Sequence, residues 1–129
     1  MNIWRAGILG VVVGDALGCP VQFESRAEVA RHPVTGMRGY GTFNLPAGSW
    51  TDDSSLTLAL LESIRRTGGI DCDVIMDNFV RWLDDGEFTP YGYSYDIGSG
   101  TMAAIRRYAR ERDPDTCGGR DAGTTETAA

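Results

Sequence analysis

Thr51-Asp52-Asp53-Ser54 is the densest run of chemistry-bearing side chains in the sequence. Adjacent carboxylates flanked by hydroxyls are hard oxygen donors, the set that Mg²⁺, Mn²⁺ or Ca²⁺ prefers. The same residue types at a helix start oppose the macrodipole and satisfy free N–H groups. Metal ligation and helix capping therefore stand side by side here. Capping needs only one of these residues, and neighbouring Asp side chains repel unless a cation lies between them. A second candidate is Asp15, within Gly14-Asp15-Ala16-Leu17-Gly18. A carboxylate between apolar turns is costly to bury unpaired. Two roles suit it: a satisfied structural Asp, or a group that orients a metal ligand from behind. The third candidate is Tyr95-Asp96-Ile97-Gly98-Ser99-Gly100-Thr101. Gly-rich backbone leading into a helix can bind an anion or a sugar phosphate through its N–H groups. His32 stands alone before Pro33 and carries no assigned role, and no Ser/His/Asp or Cys/His arrangement is discernible.

These residues need elements to hold them. Gly7, Gly10, Gly14 and Gly18 recur at helical spacing and share one face, with Ile3, Leu9 and Val13 on the neighbouring stripe. Each glycine costs a helix about 1 kcal/mol relative to alanine, so close approach of another helix or of a ligand is expected. The apolar run Ala6 to Gly14 is nine residues long, too short to span a bilayer. It reads as a buried helix rather than the core of a leader peptide. Ser25 and Glu28 form a capping box for a short helix that Pro33 ends. Residues 33–50 are a long Gly/Pro-rich loop, in which Tyr40 and Phe43 allow a short hairpin. The strongest helix is predicted over about 54–66, with Leu56, Leu60, Leu61 and Ile64 as its core face, Leu58 and Ala59 widening it, and Gly68-Gly69 ending it. Another runs from Asp73 to Leu83, capped by Asp71 or Asp73, with Ile75, Met76, Phe79, Val80 and Leu83 inward and Gly86 as its stop. Residues 84–100 form a second Gly- and aromatic-rich loop, where alternating Tyr91, Tyr93 and Tyr95 suit an extended segment. A last helix over about 101–112 turns Met102, Ile105, Tyr108 and Ala109 inward and leaves Arg106, Arg107, Arg110 and Arg112 as a solvated face. The fold class is all-α with long Gly-rich loops.

Composition excludes several functions. The chain has 129 residues, 42% hydrophobic and 23% charged, the makeup of one ordered domain. All twelve Lys+Arg residues are Arg, against eighteen Asp+Glu, for a net charge of −6. Such a chain has no electrostatic footprint for nucleic acid or an anionic membrane. Cys19, Cys72 and Cys117 make no CxxC pair, so neither a disulfide framework nor a zinc site is indicated, and a reduced cytoplasmic setting is expected.

Three stretches in order, AGILGVVVGDALGCPVQFESR, GSWTDDSSLTLALLESI and FTPYGYSYDIGSGT, resemble the N-terminal half of the ADP-ribosylglycohydrolases, including the dinitrogenase-reductase-activating type. The resemblance covers about residues 3–119, and GDALG together with W-T-D-D-S-x-x-T-L-A is its specific part. It implies an orthogonal all-α bundle with a binuclear Mg²⁺ site, sometimes Mn²⁺. The implied reaction is hydrolysis of the bond between ADP-ribose and a protein side chain or small acceptor. By motif, Thr51, Asp52 and Asp53 would ligate metal, with Asp52 and Asp53 at the chemistry. Asp96, Gly98 and Ser99 would lie at the ADP-ribose site, and Asp15 close behind the metals. Metal ions would hold ribose hydroxyls and a water, stabilise an oxocarbenium-like transition state, and let an acidic chain accept a diphosphate.

Two departures from the family pattern bear on activity. Gln22 stands where many members carry a Glu near the metals, and a neutral amide cannot act as a general base. The resemblance also implies a further half, with an Asn-Gly-rich phosphate loop and a D-x-D-D-T-type motif that supplies the remaining ligands. Residues 118–129 match neither, contain no large apolar residue, and are expected to be a disordered or out-of-frame tail. The chain is therefore expected to be the N-terminal portion, residues 1–117, of such a domain and inactive by itself. The alternative is a non-catalytic fragment or ADP-ribose-binding module.

Overall fold

The computed structural model describes residues 2–119. It has five α-helices: α1 (Ile3–Gly18), α2 (Arg26–Arg31), α3 (Asp52–Thr67), α4 (Cys72–Asp85) and α5 (Ser99–Glu111). A 3₁₀ turn, Cys19–Val21, continues α1. Among the described residues there is no strand, so the fold is all-α as expected. The expected tail begins with Gly118 and Gly119, which are described; the rest of it lies outside the described residues.

Local signals place the helix ends. Asn2 Oδ1 accepts from Trp4 N–H at 2.9 Å, Ser25 Oγ from Glu28 N–H at 3.2 Å, and Asp71 Oδ1 from Val74 N–H at 3.1 Å. Gly68 and Gly86 close α3 and α4 with φ of 78° and 69°. Arg112 closes α5 in the same left-handed conformation without being glycine, at φ 55°. The loop before α3 makes a turn, with Tyr40 N–H to Leu45 O at 2.7 Å and Asn44 N–H to Gly41 O at 3.0 Å, but no hairpin strands.

The core lies between α3, α4 and α5. Met76, Trp82, Leu83, Ile105, Tyr108 and Cys117 are its buried members, and Leu56, Phe79, Val80, Phe88 and Ile97 pack against it. The buried face of α3 differs from the expected leucine stripe. Ser54, Ser55, Ala59 and Ser63 are buried, whereas Leu56, Leu58, Leu60, Leu61 and Ile64 are only partly covered. Small side chains let α4 approach closely. Ser55 and Ser63 hydroxyls turn back onto the Thr51 and Ala59 carbonyls at 2.9 and 3.1 Å. Buried Asn78 of α4 donates to Ala59 O at 2.9 Å and Ser63 Oγ at 2.7 Å and accepts from Arg81. Periodicity marks apolar positions and cannot show that a polar seam takes the tightest contact.

On α5, Ile105 and Tyr108 are inward as expected, but Met102 and Ala109 are exposed. The arginine face is not simply solvated. Arg106 pairs with Asp84 at 2.5 Å, Arg112 with Asp77 at 2.7 Å, and Arg107 donates to Cys117 O at 2.7 Å.

α1 overturns two expectations. It is not a buried helix: Ala16 is its sole buried residue, and apart from neighbouring residues and the helix's own backbone nothing lies within 4 Å of a Cβ placed at Gly7, Gly10, Gly14 or Gly18. With the 3₁₀ turn it runs from Ile3 to Val21, 19 residues, long and apolar enough by length and composition to cross a membrane. The nine-residue count missed this by stopping at Asp15. In the fold that Asp is docked onto α3, as described next.

Candidate active site

Asp15 organises the site. Its Oδ2 accepts from Thr51 N–H at 2.9 Å, Ser54 N–H at 3.1 Å and Ser54 Oγ at 2.6 Å, and its Oδ1 accepts from Thr51 Oγ1 at 2.8 Å. Thr51 is the N-cap position of α3, yet its own side chain makes no capping hydrogen bond. The cap comes from α1 instead. A carboxylate at the positive end of a helix is electrostatically favoured, and these four bonds satisfy it between apolar turns. Asp15 thus fills the structural role offered by the sequence, from a place directly behind Thr51.

Asp15 takes the Thr51 and Ser54 N–H groups, while the Asp52 carboxyl takes hydrogen bonds from the Thr51 side chain and its own backbone. Asp52 is half-buried, and its carboxyl is pushed up to about 6, first by burial and then by the Asp96 and Asp53 charges. Asp96 is also raised, chiefly by burial; a hydrogen bond from Gln22 opposes this, and Asp53 and Asp15 add to it. Asp96 sits at φ 56°, a left-handed conformation that non-glycine residues seldom adopt and that clusters at functional sites. The charges acting most strongly on these carboxylates are other carboxylates. That donor set suits a hard dication in kind. In number it falls short: among the described residues no group of three His, Cys, Asp or Glu side chains converges on one point.

An open cavity of about 570 Å³ lies beside this cluster, lined by Val11, Gly14, Asp15, Gly18, Cys19, Val21, Gln22, Asp53 and Thr57. It unites Asp15, Gln22 and Asp53 of the expected site. Thr51, Asp52 and Asp96 are not in its lining but are coupled to it through the bonds and charges above. Gly14 and Gly18 form one wall, so part of the glycine stripe faces a possible ligand space rather than a helix of this chain. Gly98 and Ser99 stand apart from the lining, exposed at the start of α5, where no side chain caps the helix. Reading the residues missed Thr57 and Cys19. Thr57 lies one turn after Asp53, and that i+4 spacing was its available signal; its hydroxyl bonds Asp53 O at 2.7 Å. The Cys19 thiol is pushed up by burial and by Asp15 and Asp96, which leaves it protonated and unreactive.

Aromatic rings frame the acidic cluster. Phe23, Phe43, Tyr95, Tyr93 and Tyr91 touch in sequence with centroids 5.8 to 6.4 Å apart. Tyr95 donates to Trp50 O, and Tyr91 OH and Ser49 Oγ are 2.7 Å apart. The alternating tyrosines are therefore in ring contact and pinned to the residues just before Thr51, and they do not form a strand.

Comparison with known proteins bears on the family and the fold. The ADP-ribosylglycohydrolase family model matches residues 3–129. An ADP-ribosylarginine hydrolase of Serratia proteamaculans is 33% identical over 121 residues, covering 88% of this chain and 32% of the relative. The ADP-ribosyl-[dinitrogen reductase] glycohydrolase of Rhodospirillum rubrum is 35% identical over 105 residues, covering 80% of this chain and 33% of the relative. A solved structure described as an ADP-ribosylglycohydrolase-related protein complex superposes with a TM-score of 0.67 at 38% identity, covering 90% of this chain and 35% of that one. The chain thus spans about a third of the length of the relatives it matches. On the family match and the fold together, this chain belongs to the ADP-ribosylglycohydrolase family.

Proposed function

We propose that this chain carries one part of the site of an Mg²⁺-dependent hydrolase that releases ADP-ribose from an ADP-ribosylated arginine side chain. The observation that supports this best is the docking of Asp15 on the start of α3, which sets Asp52 and Asp53 beside Asp96. The arginine acceptor is taken from the named activity of the Serratia relative. Thr51, Asp52 and Asp53 are the proposed ligands of Mg²⁺, with Mn²⁺ as a substitute. The bound metal supplies Lewis-acid polarisation of oxygen and neutralises the carboxylates so that a diphosphate can approach.

In the proposed reaction a water oxygen bonds to the ribose anomeric carbon, the bond to the guanidine nitrogen breaks, and that nitrogen takes up a proton. Asp52 and Asp53 would hold the metal beside the ribose, where the oxocarbenium-like transition state forms. Asp15 fixes Thr51 and the first turn of α3 and so sets where those carboxylates stand. Gln22 holds Asp96 by a hydrogen bond and, being an amide, serves as a positioning group and not as a base. The start of α5 at Gly98 and Ser99, where no side chain caps the helix, turns its positive end toward a phosphate.

The test joins this chain to the portion of the Serratia hydrolase that it does not span. ADP-ribose release from ADP-ribosylarginine is then followed with Mg²⁺ and with a chelator. Release that needs Mg²⁺ and falls at least about a hundredfold in Asp52→Asn or Asp53→Asn supports the reading. Release indifferent to both the chelator and the substitutions sinks it. A second reading, a non-catalytic ADP-ribose-binding piece, is favoured by the lack of three converging ligand groups among the described residues. It predicts ADP-ribose binding by calorimetry with no turnover in the joined protein.

A further inference from the structure

The aromatic rings that frame the acidic cluster take no part in the reaction proposed above. Phe23 and Tyr93 are the most exposed of them, at 81% and 51%. The hydrophobic effect does not account for rings left in water. Phe23 also sits at φ 67°, a left-handed conformation that a bulky side chain seldom adopts. Neither burial nor backbone preference explains why a ring is held there.

The rings are nonetheless firmly based. Thr42 N–H donates to Pro20 O at 3.0 Å and Thr42 Oγ1 to Gln22 O at 2.5 Å, which ties the segment carrying Phe43 to the segment carrying Phe23. Gly41 permits this approach, since a Cβ there would lie 1.7 Å from Pro20 O. At the other end Tyr95 is anchored on Trp50 O and Tyr91 on Ser49. Ring contacts from Phe23 through Phe43 and Tyr95 to Tyr93 join the two ends. Exposed rings on a fixed base lose little freedom when a ligand settles on them.

Their surroundings say which ligand. Gln22, the residue before Phe23, lines the cavity that Asp53 also lines, and it bonds Asp96. Tyr95, in the middle of the arc, directly precedes Asp96. Ring faces carry the negative side of a quadrupole, and the carboxylates carry full negative charge. Both complement a cation. A guanidinium is the cation that lies flat on a ring while its N–H groups pair with a carboxylate. The net charge of −6 draws a cationic segment to the chain as a whole.

We propose that Phe23 and Tyr93 are specificity contacts for the acceptor side of the substrate, an arginine-bearing peptide segment whose guanidinium groups lie on these rings beside the acidic cluster. The identity of what that segment carries rests on the proposed reaction; binding of the segment needs no turnover.

The first measurement is calorimetry of the 129-residue chain with a glycine-spaced arginine peptide and with its lysine counterpart at one salt concentration. Tighter binding of the arginine peptide is expected. Phe23→Asn, which suits a left-handed backbone, and Tyr93→Ser should each weaken it at least about threefold, with helical circular dichroism unchanged, and Phe23→Tyr should retain it. The second measurement uses the joined protein described above. For an ADP-ribosylated peptide with further arginines, KM should rise at least about threefold in Phe23→Asn at unchanged kcat, and KM for free ADP-ribosylarginine should stay as it was. Arginine and lysine peptides that bind alike, an arginine peptide indifferent to both ring removals, or a chain that takes neither peptide overturns the proposal. So does an equal rise in KM for both substrates, which would put the rings on the nucleotide. Selective binding of the arginine peptide by a joined protein that does not hydrolyse leaves this inference standing and counts against the proposed reaction alone.

Discussion

Asp15 shows how one carboxylate settles the roles of its neighbours. Four donors converge on it, two each from buried Thr51 and Ser54 across a helix–helix contact, so its loss strands buried groups. Asp15→Ala is expected to cost about 2–3 kcal/mol, and Asp15→Asn less, because the amide keeps an acceptor oxygen. Urea midpoints of the two variants check this; an unchanged midpoint for the Ala variant would show that the contact carries no stability. Asp52 makes an opposite kind of statement. Its folded-state pKa, raised to about 6, lies above the unfolded carboxyl value, so the folded chain holds that proton more tightly. The stability this gives is present below about pH 4 and is lost as pH rises through about 6. With half the group exposed to solvent the effect is about 1 kcal/mol. The metal-free chain should therefore unfold at lower urea at pH 7 than at pH 5, as far as this group decides it. Added Mg²⁺ should reverse the difference at pH 7 if it binds Asp52.

Elements meet here through small groups and turns that leave no slack. Gly86 ends α4 at φ 69°, and a Cβ there would sit 2.2 Å from the Gly92 backbone. Gly68 ends α3 at φ 78° with open space around it. Both bear the same conformational demand, but only Gly86 bears a steric one as well. Gly68→Ala should cost about 1 kcal/mol and Gly86→Ala more than about 3 kcal/mol, since the second must also move the 86–93 loop. Thermal melting of the pair checks this, and equal losses would mean that the loop shifts freely. Both stops were readable as Gly after an apolar period. The steric difference was not, because the two backbone segments that meet are brought together by the loop and not by the helix. The α3 seam follows the same logic. Ser55, Ala59 and Ser63 lie four apart, as legible as any leucine stripe, yet their burial depends on Asn78 from another helix. Asn78→Ala should cost about 2 kcal/mol by removing the amide that joins the Ala59 carbonyl and the Ser63 hydroxyl across the seam; a smaller loss would show that water replaces the amide.

At the scale of the whole molecule, the described residues have a real but narrow core between α3, α4 and α5, and a first helix tied on mainly by its Asp15 end. Apolar surface left in water adds nothing to folding, and a small core is marginal against chain entropy. The chain alone should melt broadly at modest temperature and bind a hydrophobic dye. A sharp, high transition in the isolated chain without dye binding would show that α1 is stable in water as it stands. The acid excess belongs at this scale too. Asp15, Asp52, Asp53 and Asp96 gather at one end of α3, where the neighbouring carboxylates help to raise Asp52 and Asp96.

Family and fold class were readable from the chain itself, because ordered motifs such as Gly14-Asp15-Ala16-Leu17-Gly18 and Trp50-Thr51-Asp52-Asp53-Ser54 are local, and so are the caps and apolar periods that make helices. The identity of the candidate carboxylates was readable for the same reason. What each one does was not. Capping of α3 by Asp15, burial of serines instead of leucines, and exposure of a helix that looks like core all depend on which surfaces meet across gaps of tens of residues. A residue's type says what it can bond; only its neighbours in space decide whether that capacity is spent inside the fold or left for a ligand.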